Sequence, residues 1–249
     1  MGPESDHETP FLDMLRSKNL TLRREFLDLF EIGRVQAYYE FLKTNNASGG
    51  FFSKRDAGRI LERHIYENMI FSYYVSLLLN VTQKTELADA GSGPGLPGFF
   101  FACLKKPPQL TLIDSSQRRL GRLEEFHNAS NRFPSVRFRY ERLEDCTGEY
   151  DIIVMRALIP YPYCIELVCG LQRPGGWIAL ADTTPDDKAP LIQDRLQRLG
   201  YVSRETIHPP EIQFLGSRCI NLLLKTRETE MGYPRKWKLI KKELLQWEK

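Results

Sequence analysis

The periodicity of hydrophobic and polar positions changes along the chain near residue 80. Before that point, apolar and small side chains recur every three or four residues, the spacing of a buried helix face: Leu22, Phe26, Leu29, Phe30, Gly33 and Ala37. We expect one helix to begin at Thr21 and a second to run from Asp56 to about Leu79. The Asn-, Ser- and Gly-rich stretch at 45–50 predicts a loop between them.

From Thr85 onward, short apolar runs alternate with segments of helical period, which predicts a mainly parallel sheet with helices on both faces. The expected strands lie near 86–90, 109–114, 136–140, 150–155, 176–182, 201–207 and 218–226. Only Pro209–Gly216 separates the last two strands, too few residues for a helical crossover, so we expect an antiparallel hairpin. The predicted fold class is therefore α/β, a Rossmann-like, seven-stranded, mostly parallel sheet with a reversed edge strand and N-terminal helices. S-adenosylmethionine-dependent methyltransferases of class I have this architecture.

This reading divides the 249 residues into three parts: an N-terminal helical extension at 1–80, an α/β domain at 81–227 and a basic tail at 228–249. A net charge of +3 says little about partners. No apolar run is long enough to cross a bilayer, and the polar stretch Met1–Glu8 does not resemble a secretion signal. The five cysteines contain no C-x-x-C pair and predict buried thiols in a cytoplasmic protein without a metal centre.

A glycine-rich turn carries the clearest chemical signal. The apolar run that ends at Asp89 leads into Gly91, Gly93 and Gly95, and the apolar segment Phe99–Leu104 follows. A buried strand, a tight turn and a helix start in this order let a nucleotide-like ligand approach the backbone. Residues 93–98 also match G-x-G-x-x-G, so a dinucleotide and hydride-transfer chemistry remain an alternative, as does a close-packed turn without a ligand.

Four features favour S-adenosyl-L-methionine as the cofactor. Asp89 stands where an acid can meet the ligand's ammonium group, and Asp114 ends the second strand, where a carboxylate can accept both ribose hydroxyls. Residues 142–145 follow the third strand, where Leu143 and neighbouring backbone groups can frame an adenine. The helix-to-strand turn at 171–176 is common in methyltransferases. Two alternatives stay open: Asp114 caps the next helix, or Glu144 is a surface residue that offers only its backbone.

The end of the fourth strand should face the methyl acceptor, because ligands bind at the carboxyl edge of such sheets. Residues 152–157 (IIVMRA) lack the Asn/Asp-Pro-Pro-aromatic pattern of exocyclic amine methylation, and no Pro-Cys nucleophile follows. The N7 atom of guanine is already nucleophilic and needs neither device. Arg156 is the candidate catalytic residue, poised to bond a carboxylate, a phosphate or a guanine edge. A surface ion pair is its alternative role.

Basic residues of the tail are candidate RNA contacts, and so are two residues of the second helix. The tail carries Arg235, Lys236, Lys238, Lys241 and Lys242. With Tyr233 and Trp237 beside them, these cations suit a phosphate backbone and base stacking. A solvated terminal helix is the alternative. Arg63 and His64 are expected to have a structural or RNA-facing role.

Residues 89–98 (DAGSGPGLPG) resemble the signature of the bacterial 16S ribosomal RNA guanine-N7 methyltransferases, the glucose-inhibited division protein B family. The Pro97-Gly98 pair makes this resemblance more specific than a generic glycine turn. Further matching motifs follow the family's order: Arg63-His64-Ile65, Asp114-Ser115, Arg118-Arg119 with Leu123, Arg142-Leu143-Glu144, Arg156-Ala157 and Tyr233-Pro234-Arg235-Lys236.

The resemblance implies methylation of N7 of one guanine in 16S ribosomal RNA, free or in the small ribosomal subunit, by a protein expected to be a monomer. It further implies that the cofactor contacts include Gly91, Leu96, Leu143, Glu144 and Arg156, with Asp114 and Ser115 at the ribose. With the rest of the turn, the full predicted cofactor set is Asp89, Gly91, Ser92, Gly93, Gly95, Leu96, Asp114, Ser115, Leu143, Glu144 and Arg156.

This chain also departs from the family pattern. Tyr66 and Glu67 replace a leucine and an aspartate, Met155 replaces a serine, and Trp237-Lys238 replaces a proline and a glycine. These departures fall on the expected RNA-docking side. A non-catalytic RNA-binding or ribosome-assembly protein on a methyltransferase scaffold is therefore the alternative function.

Overall fold

The computed structural model describes residues 10–47, 50–156, 158–182 and 189–247. Seven strands form one sheet: β1 (Glu86–Ala90), β2 (Gln109–Ile113), β3 (Val136–Arg139), β4 (Ile152–Arg156), β5 (Trp177–Asp182), β6 (Tyr201–Ile207) and β7 (Cys219–Lys225). The α-helices are α1 (Pro10–Ser17), α2 (Arg24–Leu29), α3 (Ile32–Ala47), α4 (Lys54–Ala57), α5 (Glu67–Leu78), α6 (Phe99–Ala102), α7 (Gln117–Ser130), α8 (Tyr163–Val168), α9 (Ala189–Leu199) and α10 (Trp237–Trp247). Each predicted strand is found within two residues of its expected bounds.

The strand order is β3-β2-β1-β4-β5-β7-β6, and the first five strands in this order pair in parallel. β7 runs antiparallel to both β5 and β6, which confirms the predicted hairpin. The reversed strand is one place in from the edge rather than the edge strand itself. The reason lies in the chain path. After its helical crossover the chain places β6 one strand position away from β5, and the short link at 208–218 then brings β7 back to fill the position between them.

Side chains alternate between the two faces of the sheet, as the pleat of a strand requires. On β4, Ile152 and Val154 belong to one buried cluster, which also contains the cores of the N-terminal helices. Ile153 and Met155 belong to a second cluster, built from α8, α9 and α10. The predicted N-terminal extension thus shares its core with the sheet, and the C-terminal helix packs on the opposite face.

The N-terminal half contains two features that the helical period did not show. The first predicted helix is broken at Phe30, which leaves helical geometry to form a bridge with Leu104, so that α2 and α3 are separate helices. The second predicted helix is interrupted by a π-helical segment at Leu61–Tyr66 before α5 begins. Single π turns inside helices often occur at functional sites. Helix α1 was not predicted.

Across the described part of the chain, no helix combines the length and apolar character needed to cross a membrane.

Candidate active site

The glycine-rich turn follows β1 directly and is held at the carboxyl edge of the sheet. The backbone N–H groups of Gly91 and Ser92 both donate to the carbonyl oxygen of Ile113, at 2.8 and 3.1 Å. Gly91, Gly93 and Gly95 all have positive φ angles, of 72°, 55° and 103°. A side chain at these positions would strain the backbone, which explains why the turn uses glycine.

Close packing also requires glycine at Gly95 and at Gly98, the last residue before α6. A Cβ atom at Gly95 would lie 2.6 Å from Leu123 Cδ2, and one at Gly98 would lie 2.3 Å from Asp89 Cβ. A Cβ atom at Gly91 would lie 2.4 Å from the flexible end of the Leu158 side chain. At Gly93 the nearest atom is Arg119 Nη1, 3.8 Å away. Gly95 and Gly98 therefore allow close packing in the core, whereas the absence of a side chain at Gly93 leaves open space above the turn.

Asp89 lies beneath the turn and is fully buried. Its Oδ2 atom accepts a 2.9 Å hydrogen bond from the Gly98 N–H, whereas Oδ1 has no partner among the described residues. Burial raises the pKa of this carboxyl to about 8, although the Gly98 hydrogen bond opposes the shift and the nearby Asp114 adds to it. Asp89 supports the turn from below, and none of its side chain is exposed at the surface of the turn.

Asp114 connects the turn to the start of α7. Oδ2 accepts a 2.7 Å hydrogen bond from the Gly93 N–H, and Oδ1 accepts one of 2.7 Å from the Ser116 N–H. Arg119 Nη2 lies 3.6 Å from Oδ1. Ser116 is the N-cap residue of α7 and the helix has no side-chain cap, so Asp114 does not cap it; its carboxylate instead joins the glycine turn to the residue before the helix.

A cleft of about 270 Å³, here called the glycine cleft, opens beside this arrangement. Its lining residues are Gly91, Asp114, Ser115, Arg119, Glu141, Arg142, Leu143, Glu144, Leu158, Ile159, Leu167 and Trp237. Five predicted cofactor residues meet here: Gly91, Asp114, Ser115, Leu143 and Glu144. Ser92, Gly93, Gly95 and Leu96 form the turn behind the wall. Glu144 is largely buried and lies 3.6 Å from Arg142, so it contributes more than the backbone of an exposed residue.

The donor set of the glycine cleft fits an adenosyl cofactor. Asp114 and Ser115 place oxygen atoms at one part of the cleft, and Leu143, Ile159 and Leu167 give it an apolar part that suits a base. The Oγ atom of Ser92 is buried in the turn without a partner among the described residues. A ligand against the turn meets backbone groups where Gly93 has no side chain.

A second cavity of about 220 Å³, here called the arginine pocket, lies at the carboxyl ends of β4 and β5. Arg63, Glu67, Asn68, Phe71, Arg156, Ala181, Asp182, Ile212, Arg218, Cys219 and Ile220 line it. Arg156 is therefore placed here and not in the glycine cleft. Its Nη1 donates to Asn68 Oδ1 at 2.9 Å and to the Arg63 carbonyl at 3.1 Å, and lies 3.7 Å from Glu67 Oε2.

His64 belongs to the π-helical segment and contacts Arg156 from the side of the N-terminal helices. Burial lowers the pKa of His64 to about 3, and the Arg156 charge adds to the shift. The neutral ring places Nδ1 at 3.3 Å from Arg156 Nη2 and stacks on Phe52 with a ring separation of 3.7 Å. His64 is 6% exposed, so the structural role considered for it is the one the structure supports. Arg63 pairs with Asp56 and lines the pocket.

Glu67 joins two arginines across the pocket. Arg218 Nε donates to Glu67 Oε1 at 2.8 Å, and Arg156 approaches the other oxygen. Burial lowers the pKa of Arg156, whereas Glu67 acts in the opposite direction. Two guanidinium groups thus share one carboxylate, and Arg63 and Asp182 also line the pocket, so that guanidinium donors and carboxylate acceptors face the same space.

A third cavity joins the other two. It contains Leu158 and Ile159, which also line the glycine cleft, and Ala181 and Asp182, which also line the arginine pocket. The three cavities are therefore neighbours along the carboxyl edge of the sheet, and the row that they form is here called the trough. Ala157, which follows Arg156, lies outside the described residues.

The predicted RNA residues of the tail separate into two groups. Arg235 binds the fully buried Glu166 through Nε at 2.7 Å and Nη2 at 2.8 Å, so it anchors the tail instead of facing outward. The four lysines are exposed on and just before α10: Lys236, Lys238, Lys241 and Lys242.

The sheet order, the glycine turn and the cleft beside it define a class I methyltransferase fold. The structure resembles magnesium protoporphyrin IX methyltransferase from Synechocystis PCC 6803 with bound S-adenosylmethionine, with a TM-score of 0.54 at 15% identity, covering 83% of this chain and 99% of that one. It also resembles a 1,6-didemethyltoxoflavin-N1-methyltransferase from Burkholderia thailandensis, with a TM-score of 0.52 at 17% identity, over 77% of this chain and 90% of that one. These likenesses confirm the predicted fold class.

Sequence relatives define the family. The profile of rRNA small subunit methyltransferase G matches residues 31–202. The chain is 40% identical to ribosomal RNA small subunit methyltransferase G of Leptospira biflexa over 86% of this chain and 88% of the relative. It is 36% identical to the protein of that name from Leptospira interrogans, over 97% and 94%. The chain belongs to the rRNA small subunit methyltransferase G family, and the predicted resemblance is confirmed.

Sequence reasoning missed several residues of the trough. Leu158, Ile159 and Leu167 carry no motif, because they are ordinary apolar residues that reach the cleft through the path of the chain after β4. Asn68 and Arg218 were not singled out, and Glu67 was noted only as a departure from the family. Asn68 and Glu67 stand one turn beyond Arg63 and His64, and this helical spacing was the signal available.

Proposed function

We propose that this protein transfers a methyl group from S-adenosyl-L-methionine to N7 of a guanine in the RNA of the small ribosomal subunit. The observation that carries the proposal is the trough of neighbouring cavities, in which a cleft suited to an adenosyl group and a pocket lined by three arginines share lining residues with the cavity between them. Membership of the rRNA small subunit methyltransferase G family supports ribosomal RNA as the substrate class.

In the glycine cleft, Asp114 and Ser115 would hold the ribose hydroxyls of S-adenosyl-L-methionine, and Leu143 would pack against its adenine. The bound cofactor supplies an electrophilic methyl group and leaves as S-adenosylhomocysteine. Asp89 and Gly98 hold the turn in the shape that leaves this space. Arg156 is positioned to orient the acceptor, because Asn68 and the Arg63 carbonyl fix its guanidinium at the end of β4.

No proton needs to be removed from the acceptor, because N7 of guanine carries an in-plane lone pair. The chain therefore acts by positioning that nitrogen in line with the methyl group, which is an effective source of catalysis. The guanidinium groups of Arg156 and Arg218 are suited to phosphate or guanine oxygen atoms. The exposed lysines of α10 bind the phosphate backbone outside the trough.

The test is transfer of a labelled methyl group to small-subunit RNA isolated from a strain that lacks the protein. Both free RNA and intact small subunits are offered as acceptors. Reduction followed by aniline cleavage then maps N7-methylguanine to a single nucleotide. We expect label at one guanine, and loss of label with Arg156→Ala. S-Adenosylhomocysteine binding without transfer to either acceptor would instead support the non-catalytic, RNA-binding function.

A further inference from the structure

Trp237 lies in the wall of the glycine cleft, although nothing in the glycine-turn or strand-end motifs points to it. It is the first residue of α10 and comes from the tail, far along the chain from the other lining residues. Its ring is only partly buried against the apolar cluster of α8 to α10. A large apolar side chain at the mouth of a cleft gains favourable burial when a ligand covers it.

Two independent contacts fix the tail at this place. Arg235, two residues earlier, binds the buried Glu166 of α8 through both guanidinium and backbone nitrogen atoms. Ile240 and Leu244 of α10 are buried in the same apolar cluster. Trp237 is thus held between an ion pair on one side and a packed helix on the other, and its position in the cleft does not depend on the cofactor.

Trp237 packs against the apolar cluster that contains Leu143 and Leu167, two residues that line the cleft with it. Pro234 lies 3.8 Å from the position of a Cβ atom at Gly170, and the Cys146 carbonyl lies 4.0 Å from the same position. The tail therefore passes close to the end of the short 3₁₀-helix Leu143–Asp145. Helix α8, which carries Leu167, contacts that short helix as well.

We propose that Trp237 is a cofactor-binding residue that covers the adenine ring of the bound cofactor in the glycine cleft. This inference rests on the proposed function, since it assigns a residue to the cofactor of that reaction. The aromatic ring and the purine have matching size and polarisable faces, and stacking of this kind is worth a tenfold or greater change in affinity.

The test measures binding of S-adenosylhomocysteine and of 5′-methylthioadenosine to the full-length protein by titration calorimetry. Both ligands carry adenine, but the second lacks the amino acid part. We expect Trp237→Ala to weaken both by about the same factor, roughly tenfold or more, and Trp237→Phe to retain affinity within about threefold. Leu239→Ala, an exposed position on the same helix, is the matched control and leaves binding unchanged.

Fluorescence separates a direct contact from an effect on the fold. Adenine stacked on Trp237 changes the tryptophan emission of the wild-type protein on ligand binding, and Trp237→Phe removes that change while Trp177 and Trp247 remain. Unaltered affinity in Trp237→Ala overturns the inference, and so does a ligand-dependent emission change that persists in Trp237→Phe. If the wild-type protein binds neither ligand, the proposed function fails instead.

Discussion

The glycine cleft and the arginine pocket lie in one trough but are built in opposite ways. Backbone N–H groups, carboxylates and apolar side chains shape the cleft, and consecutive residues of the glycine turn are held by hydrogen bonds to Ile113 and Asp114 at the end of β2. The pocket depends on charged side chains that meet from distant parts of the chain, such as Arg156 with Asn68 and Arg218 with Glu67. One wall of the cleft is therefore marked by a short sequence motif, whereas the groups of the pocket come together only in the tertiary fold.

Gly98→Ala should break the cleft most severely, because its Cβ atom would lie 2.3 Å from Asp89 Cβ and neither backbone can retreat. We expect a loss of about 3 kcal/mol in the free energy of unfolding, measured by urea denaturation. Gly33→Ala is the control, since no described atom lies within 4 Å of its Cβ position and alanine favours the helix. Equal stability of Gly98→Ala and wild type would contradict the packing argument.

Arg156→Ala should remove the function of the arginine pocket while the protein remains folded. We expect methyl transfer to small-subunit RNA to fall about a hundredfold, because loss of orientation in a positioning mechanism has an effect of that size. Circular dichroism and the melting temperature check that the protein is folded. Arg173→Ala, which removes an exposed ion pair with Glu149, serves as the control with full activity. Wild-type activity in Arg156→Ala would remove this residue from the reaction.

Asp89→Asn tests whether the buried Asp89 carboxyl is protonated in the folded protein, through the pH dependence of stability. The folded-state pKa of about 8 is above the ordinary value near 4, so the folded protein holds a proton that the unfolded chain releases. Stability from this group is present below pH 4 and is lost as the pH rises to about 8, at about 1.4 kcal/mol per unit. The stability of Asp89→Asn relative to wild type should therefore rise between pH 4 and 8 and level off above. A difference that does not vary with pH would show that Asp89 is not protonated in the fold.

The lysines of α10 should show a smaller effect, because exposed charges contribute modestly and are screened by salt. The triple variant Lys238→Ala, Lys241→Ala and Lys242→Ala is expected to weaken RNA binding and to reduce the slope of log K against log salt by about two. A filter-binding series across salt concentrations measures both quantities. The control neutralises Lys84, Lys105 and Lys106, exposed residues at the amino ends of β1 and β2. An equal change in both triple variants would argue against a docking role for α10.

The same contrast explains what the sequence could predict. The strands and the glycine turn follow from apolar runs and short motifs, because these patterns are local, whereas the hydrogen bond from Gly93 to Asp114 was not foreseen. The environment of His64 depends on Phe52 and Arg156, which no periodicity connects, so its burial could not be foreseen. Arg235 was expected to face RNA for its charge alone. Its partner, Glu166, lies 69 positions away, and only the folded chain shows that the charge is used inside.

If cofactor and acceptor bind in separate parts of the trough, their sites can be damaged one at a time. This is tested by titration of S-adenosylhomocysteine into wild type, Asp114→Asn and Arg156→Ala. We expect Asp114→Asn to weaken binding about tenfold or more, because the variant loses a charged acceptor at the ribose, and Arg156→Ala to bind like the wild type. Equal weakening in both variants would place Arg156 in the cofactor site and contradict the division.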